Sequence, residues 1–122
     1  MTNNHVVAGS TKIAVTVAST GQTYTGTVVG TDSTDDVAVI QLTGASGLST
    51  AAIDDQPATI GDAVTAVCNA DGHNALTAAA GTVTALSSDV TTSAEGPAAA
   101  ESLHGMIQIS ADVVPGDSGG AV

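Results

Sequence analysis

At 122 residues the chain is at most one small domain, long enough to bury a single core. One basic residue, Lys12, stands against 12 acids for a net charge of −11; this repels a phosphate backbone and an anionic membrane surface, which excludes nucleic-acid binding and leaves a neutral or cationic peptide compatible. Apolar residues make up 43%, too many for a disordered polymer, yet Phe and Trp are absent and Tyr24 is alone, so the core has to come from Val, Ile, Leu and Ala.

In chain order the pattern is β almost throughout, rich in the β-branched Thr and Val that favour strands. After "TNNHVVAG", which allows one helical turn following His5, "KIAVTV" (12–17) alternates. Ile13, Val15 and Val17 fall on one face and Lys12, Ala14 and Thr16 on the other. "ASTGQ" supplies a turn and "TYTGTVVG" (23–30) the returning strand. "DVAVIQL" (36–42) is nearly continuous in apolar residues and reads as a buried strand. A loop follows over 43–51, and the composition shift over 48–57 divides two β units, 1–52 and 53–122. In the second unit "GDAVTAVCN" (61–69) and "LTAAAGTVTAL" (76–86) are strands separated by the turn "ADGHN". Residues 87–101 turn to Ser, Thr, Ala, Gly and Pro, which predicts a mobile loop, with a second helical turn near "AAAESL". "GMIQIS" (105–110) is the last strand before a serine loop.

Cys68 is the only cysteine, so no internal disulfide forms. No apolar run approaches the ~18 residues that span a bilayer, and Met1-Thr-Asn-Asn-His has neither a basic nor an apolar leader segment, which predicts no signal peptide here. Cys68, His5, His73 and His104 match no compact metal-ligand spacing, so neither metal nor other cofactor is expected.

The chemistry is concentrated in "PGDSGGAV" (115–122), where glycines flank Ser118. The motif fits two kinds of hydrolase. In the α/β-hydrolases serine comes first, histidine last, and strands alternate with helices; here the serine follows every histidine and the periodicity is β, so that reading fails. The other order is histidine, aspartate, serine. His5 lies at the end of a polar turn, and Asp36 stands at the mouth of a buried strand, where packing can fix a carboxylate. A serine hydroxyl needs an adjacent base; an imidazole can take its proton and return it to the leaving amine. The aspartate selects the tautomer and offsets the imidazolium charge. The glycines let the loop aim the N–H groups of Gly116 and Ser118 at a developing oxyanion, typically worth ~3–4 kcal/mol per donor.

With "TNNHVV", "TVVGTDSTDDVAVIQL", "IGDAVTAVCN", "AAGTVTAL" and "MIQISADVVPGDSGGAV" in this order, the whole chain resembles the trypsin-like serine peptidases of the chymotrypsin fold, closest to their bacterial HtrA-like members. The resemblance implies an all-β fold of two packed Greek-key barrels with the site between them, incomplete here at both ends. It implies His5 as general base, Asp36 rather than Asp35 as its orienter and Ser118 as nucleophile, in a serine endopeptidase acting on peptides or unfolded proteins through an acyl-enzyme. By resemblance the parent protein is exported: periplasmic, cell-envelope or secreted. Asp112, six residues before the serine, stands where trypsin-like enzymes carry the base of the specificity pocket and could select Arg or Lys; HtrA-like relatives prefer small apolar residues, which favours a solvated loop acid instead. Cys68 and Ala70 replace the family's usual glycine and proline. The family's strands before the histidine and after the serine have no counterpart in this sequence. That leads to two further expectations: impaired turnover, and open sheet edges that recruit a second copy of the chain. The alternative is a non-catalytic scaffold that binds peptides or itself through those edges.

Overall fold

The computed structural model describes residues 1–69, 76–91 and 102–122. Its elements are β1 (Thr2–Asn3), α1 (Asn4–Val7), β2 (Ile13–Val17), β3 (Gln22–Asp32), β4 (Val37–Leu42), β5 (Ala63–Cys68), β6 (Thr77–Thr91) and β7 (Ser102–Ile109). They form a four-stranded sheet in the order β1-β4-β3-β2 and a three-stranded sheet in the order β5-β6-β7. Every pairing is antiparallel. The protein is all-β, as expected, with the open curled sheets of an incomplete two-barrel trypsin-like fold.

The first sheet follows its alternation. Ile13, Val15 and Val17 turn to the partly buried face of β2, whereas Ala14 and Thr16 are exposed. Gly26 in β3 lies under Ile13 and Ile40, and a Cβ there would meet Ile40 Cγ2 at 2.6 Å; the missing side chain lets the flanking strands close over it. The β3–β4 register shifts between Val28 and Gly30, a bulge that re-aims the strand end. The shifted register pairs Asp32 with Val37. β1 adds two residues to the far edge, Thr2 opposite Ala38 and Asn3 opposite Val37. That short pairing fixes where α1 begins, and therefore where His5 points.

The second sheet departs from the expected loop. Residues 87–91 continue β6, and 102–104 already belong to β7, with Val90 opposite Leu103 and Thr91 opposite Ser102. The register shifts at three places along this hairpin, and Ser87 takes a left-handed φ of 56°. Bulges keep two irregular polar strands paired where side-chain alternation is lost. The helical turn expected near "AAAESL" lies outside the described residues apart from Ser102 and Leu103, which are strand. At Gly81 the chain leaving β7 crosses β6 at backbone distance: Ser110 N–H donates to Thr82 O at 2.9 Å, and Thr82 N–H donates to Ser110 Oγ at 3.0 Å.

The core is thin. Among the described residues Val7, Ala38, Ala66, Cys68, Val83 and Leu103 are the buried apolar ones, and Asp36 is the buried charged one. The chain exposes 8477 Å², against roughly 6,000 Å² for a compact monomer of this length. Sheets of small aliphatic residues that do not close on themselves leave large side chains such as Ile53, Ile60 and Val122 in solvent. Among the described residues no helix is long and apolar enough to cross a membrane.

Candidate active site

Asp36 is the centre of the first half of the site. It is 2% exposed and adopts a left-handed φ of 52°, a conformation that aspartate tolerates better than most residues. This kink at the entrance to β4 turns the carboxylate back toward α1. His5 Nδ1 donates to Asp36 Oδ2 at 2.6 Å, and the His5 backbone N–H donates to Asp36 Oδ1 at 2.8 Å. Both carboxylate oxygens are thus used by one residue, which fixes ring position and backbone together. The imidazole is a third exposed while the carboxylate is buried, so the outer ring nitrogen, Nε2, is the one open to a substrate. Asp35 sits at the surface, its backbone N–H donated to Asp32 Oδ1 at 3.2 Å.

The second half is the loop carrying Ser118. Gly116 and Gly119 have φ values of 100° and 86°, which only glycine adopts freely. Between them Asp117 knots the turn. Val114 N–H donates to Asp117 Oδ2 at 2.9 Å, Asp117 N–H returns to Val114 O at 3.1 Å, and Gly120 N–H donates to Asp117 O at 3.0 Å. Val67 N–H donates to Ala121 O at 2.8 Å and pins the loop to β5. Ser118 is exposed and lines a 370 Å³ cleft with Thr2, Asn69 and Leu76. Among the described residues the N–H groups of Gly116 and Ser118 have no acceptor within the chain, which leaves two donors free for a ligand.

The two halves meet through Asn3. Its side-chain amide donates to Asp36 O at 3.0 Å, and its Oδ1 accepts the Gly119 N–H at 2.7 Å. His5 and Ser118 share no hydrogen bond among the described residues. Sequence reasoning missed Asn3; the one signal available was a second polar residue before the histidine in "TNNHVV". Asp112 is exposed and lines a neighbouring 420 Å³ cavity with Ala66, Ala78 and Val114, which shares Cys68 and Asp117 with the serine cleft. The described histidines and Cys68 form no group able to hold a metal; His73 lies outside the described residues.

Cys68 lies beneath the loop, 7% exposed; a Cβ on Gly120 would come within 2.8 Å of its sulfur. Burial pushes its thiol up, and the Asp117 carboxylate adds to the push. A raised thiol keeps its proton longer folded than unfolded, so this contribution to stability is present below the ordinary thiol range of about 8.5 and is lost as pH rises through the folded value. Alkylation of Cys68 by iodoacetamide at pH 8, followed by mass spectrometry, is expected to run at least about tenfold slower than in the denatured chain. Equal rates would show that the thiol is neither shielded nor raised.

Comparison with known proteins places these features in a known context. The family model of the trypsin-like peptidase domain matches residues 1–122. A probable periplasmic serine endoprotease, DegP-like, from Buchnera aphidicola subsp. Schizaphis graminum is 35% identical over 100% of this chain and 24% of its own length. The serine protease Do-like HtrA of Lactobacillus helveticus is 35% identical over 100% of this chain and 28% of its own. The periplasmic pH-dependent serine endoprotease DegQ of Escherichia coli (strain K12) is 32% identical over 100% and 25%. The chain therefore spans about a quarter of the length of these curated relatives.

Proposed function

We propose, from the premise that this chain belongs to the trypsin-like peptidase family and is by family a serine hydrolase, that it carries the catalytic groups of an endopeptidase, with His5 as general base, Asp36 as its orienter and Ser118 as nucleophile. The reading treats residues 1–52 and 53–122 as the two halves that contribute these groups. The observation that carries it is the His5–Asp36 pair, 2.6 Å between Nδ1 and Oδ2 with the carboxylate out of water. A buried carboxylate on Nδ1 keeps the proton there, leaves Nε2 as the basic nitrogen and stabilises the imidazolium that forms.

The steps follow. Ser118 Oγ attacks the scissile carbonyl as its proton passes to His5 Nε2. The N–H groups of Gly116 and Ser118 receive the oxyanion. The C–N bond breaks, the imidazolium gives its proton to the leaving amine, and water then cleaves the acyl-enzyme through the same base. No metal or cofactor is needed in this scheme. The substrate is a peptide or unfolded protein, neutral or cationic against a chain of net charge −11. The small side chains Ala66, Ala78 and Val114 around the Asp112 cavity suit a small apolar residue before the cleaved bond, with Asp112 as an acid at the rim. Two of the compared relatives are described as periplasmic, which supports export of the parent protein.

A fluorophosphonate probe tests the assignment. Ser118 Oγ displaces fluoride from phosphorus and the proton leaves through His5, so the parent chain is expected to label and Ser118→Ala to lose all labelling. Labelling that persists in Ser118→Ala would remove Ser118 from the mechanism.

A second reading, a non-catalytic module that associates with itself, is favoured by one observation: a 690 Å³ hollow against the second sheet is lined by Val64, Met106, Ile107 and Val122, of which the last three are exposed. Sedimentation that finds only a monomer at high concentration counts against it.

A further inference from the structure

We propose that Asn3 is a positioning residue that holds the serine loop in register with the His5–Asp36 pair; the proposal rests on reading Ser118 as the nucleophile. The Asn3 side chain hydrogen-bonds neither the imidazole nor the serine hydroxyl among the described residues. It binds the backbone behind each: the carbonyl of Asp36 at 3.0 Å and the amide of Gly119 at 2.7 Å. The first partner can only accept and the second can only donate, so the orientation of the carboxamide is determined by its neighbours. A carboxamide supplies donor and acceptor on one rigid plane. Aspartate would set an oxygen against the Asp36 carbonyl, and leucine would satisfy neither group.

The Gly119 nitrogen is bonded to the carbonyl carbon of Ser118, so fixing its N–H fixes the peptide plane that follows the serine. At the other end, β1 pairing puts Asn3 opposite Val37, and Asn4 N–H adds a second bond to Asp36 O at 3.0 Å. One side chain thereby sets the distance between the nucleophile's backbone and the base's carboxylate. It also occupies the Gly119 N–H, which keeps that donor away from a substrate oxyanion and reserves the role for Gly116 and Ser118. Room for this contact depends on Gly119 lacking a Cβ, which would run into Thr2 Oγ1. Misplacing a reacting group by about 1 Å can cost on the order of 10²-fold in rate.

The test uses the full chain and the fluorophosphonate probe, with Asn3→Asp as the near-isosteric variant and Asn3→Leu as the second. Both are expected to lower the maximal labelling rate roughly 10- to 100-fold at an unchanged half-saturating probe concentration; in Asn3→Leu the Gly119 amide also exchanges with solvent faster than in the parent, whereas Asn3→Asp keeps an acceptor for that N–H and loses the bond to Asp36 O. Thermal melts run alongside separate this from unfolding, because a purely structural role makes labelling follow stability across the two variants. Labelling of both variants at the parent's rate, or a loss of rate in Asn3→Leu with Gly119 exchange unchanged, overturns the proposal. A parent chain that does not label at all removes the nucleophile reading instead. The tether is then judged by exchange alone: faster Gly119 exchange in Asn3→Leu upholds it, and unchanged exchange in that variant overturns it.

Discussion

Replacing Asp36 by asparagine is expected to slow fluorophosphonate labelling of Ser118 by roughly 10³- to 10⁴-fold while leaving the fold in place. The size of the effect follows from two demands on one small group. The His5 backbone N–H, 2.8 Å from Oδ1, can only donate, so it claims the single oxygen of a carboxamide. The NH₂ is then forced onto His5 Nδ1, which must give up its proton and become the acceptor. The ring proton moves to Nε2, which can then no longer act as a base. Water cannot substitute, because Asp36 is 2% exposed. Asparagine shares aspartate's tolerance of a left-handed backbone, so the φ of 52° costs nothing further and the melting temperature is expected to change little. Labelling kinetics of the parent and variant, with melts of both, decide the matter; an Asp36→Asn chain that labels at the parent's rate contradicts the role given to this residue.

The largest effect on stability is expected at Gly81. A Cβ there would collide with the backbone nitrogen of Ala111 and lie 2.8 Å from its Cα. Neither atom can rotate away, unlike the tip of a side chain. Gly81→Ala is therefore expected to destabilise the chain by about 2–3 kcal/mol, read as a fall in melting temperature of roughly 10 °C or more. The displaced segment leads directly into the serine loop, so labelling of Ser118 should fall as well. Gly30→Ala is the control: nothing lies within 4 Å of its Cβ, and alanine there should be neutral or stabilising by up to about 1 kcal/mol. Similar melts for the two variants would show that β6 and the 110–112 crossing are not in close contact.

Much of this architecture was legible because side-chain alternation reports a half-buried sheet. The Ile13, Val15 and Val17 pattern gave the face of β2 directly. The preference for Asp36 over Asp35 rested on which residue abuts the apolar strand, and it is Asp36 that meets His5 while Asp35 remains at the surface. Two features left no such trace. Residues 87–91 and 102–104 carry Ser, Thr, Asp and His beside one Val and one Leu on a largely exposed ribbon; their pairing is held by backbone hydrogen bonds that any residue but proline can make, so composition pointed to a loop. Asn3 lies in a strand of two residues, too short for any period, and its partners are backbone groups 33 and 116 positions away.

That last separation has a kinetic side. A chain made from its N-terminus presents His5 and Asp36 early and joins them across 31 positions, the length of one hairpin. The Gly119–Asn3 bond spans 116 positions and can close only after everything between those two residues has emerged, since non-local contacts of this kind form slowly and late. If Ser118 and His5 act as proposed, the serine loop comes into register with the His5–Asp36 pair only at this late step, so a growing chain has no assembled site with which to attack its neighbours or itself before the bond closes.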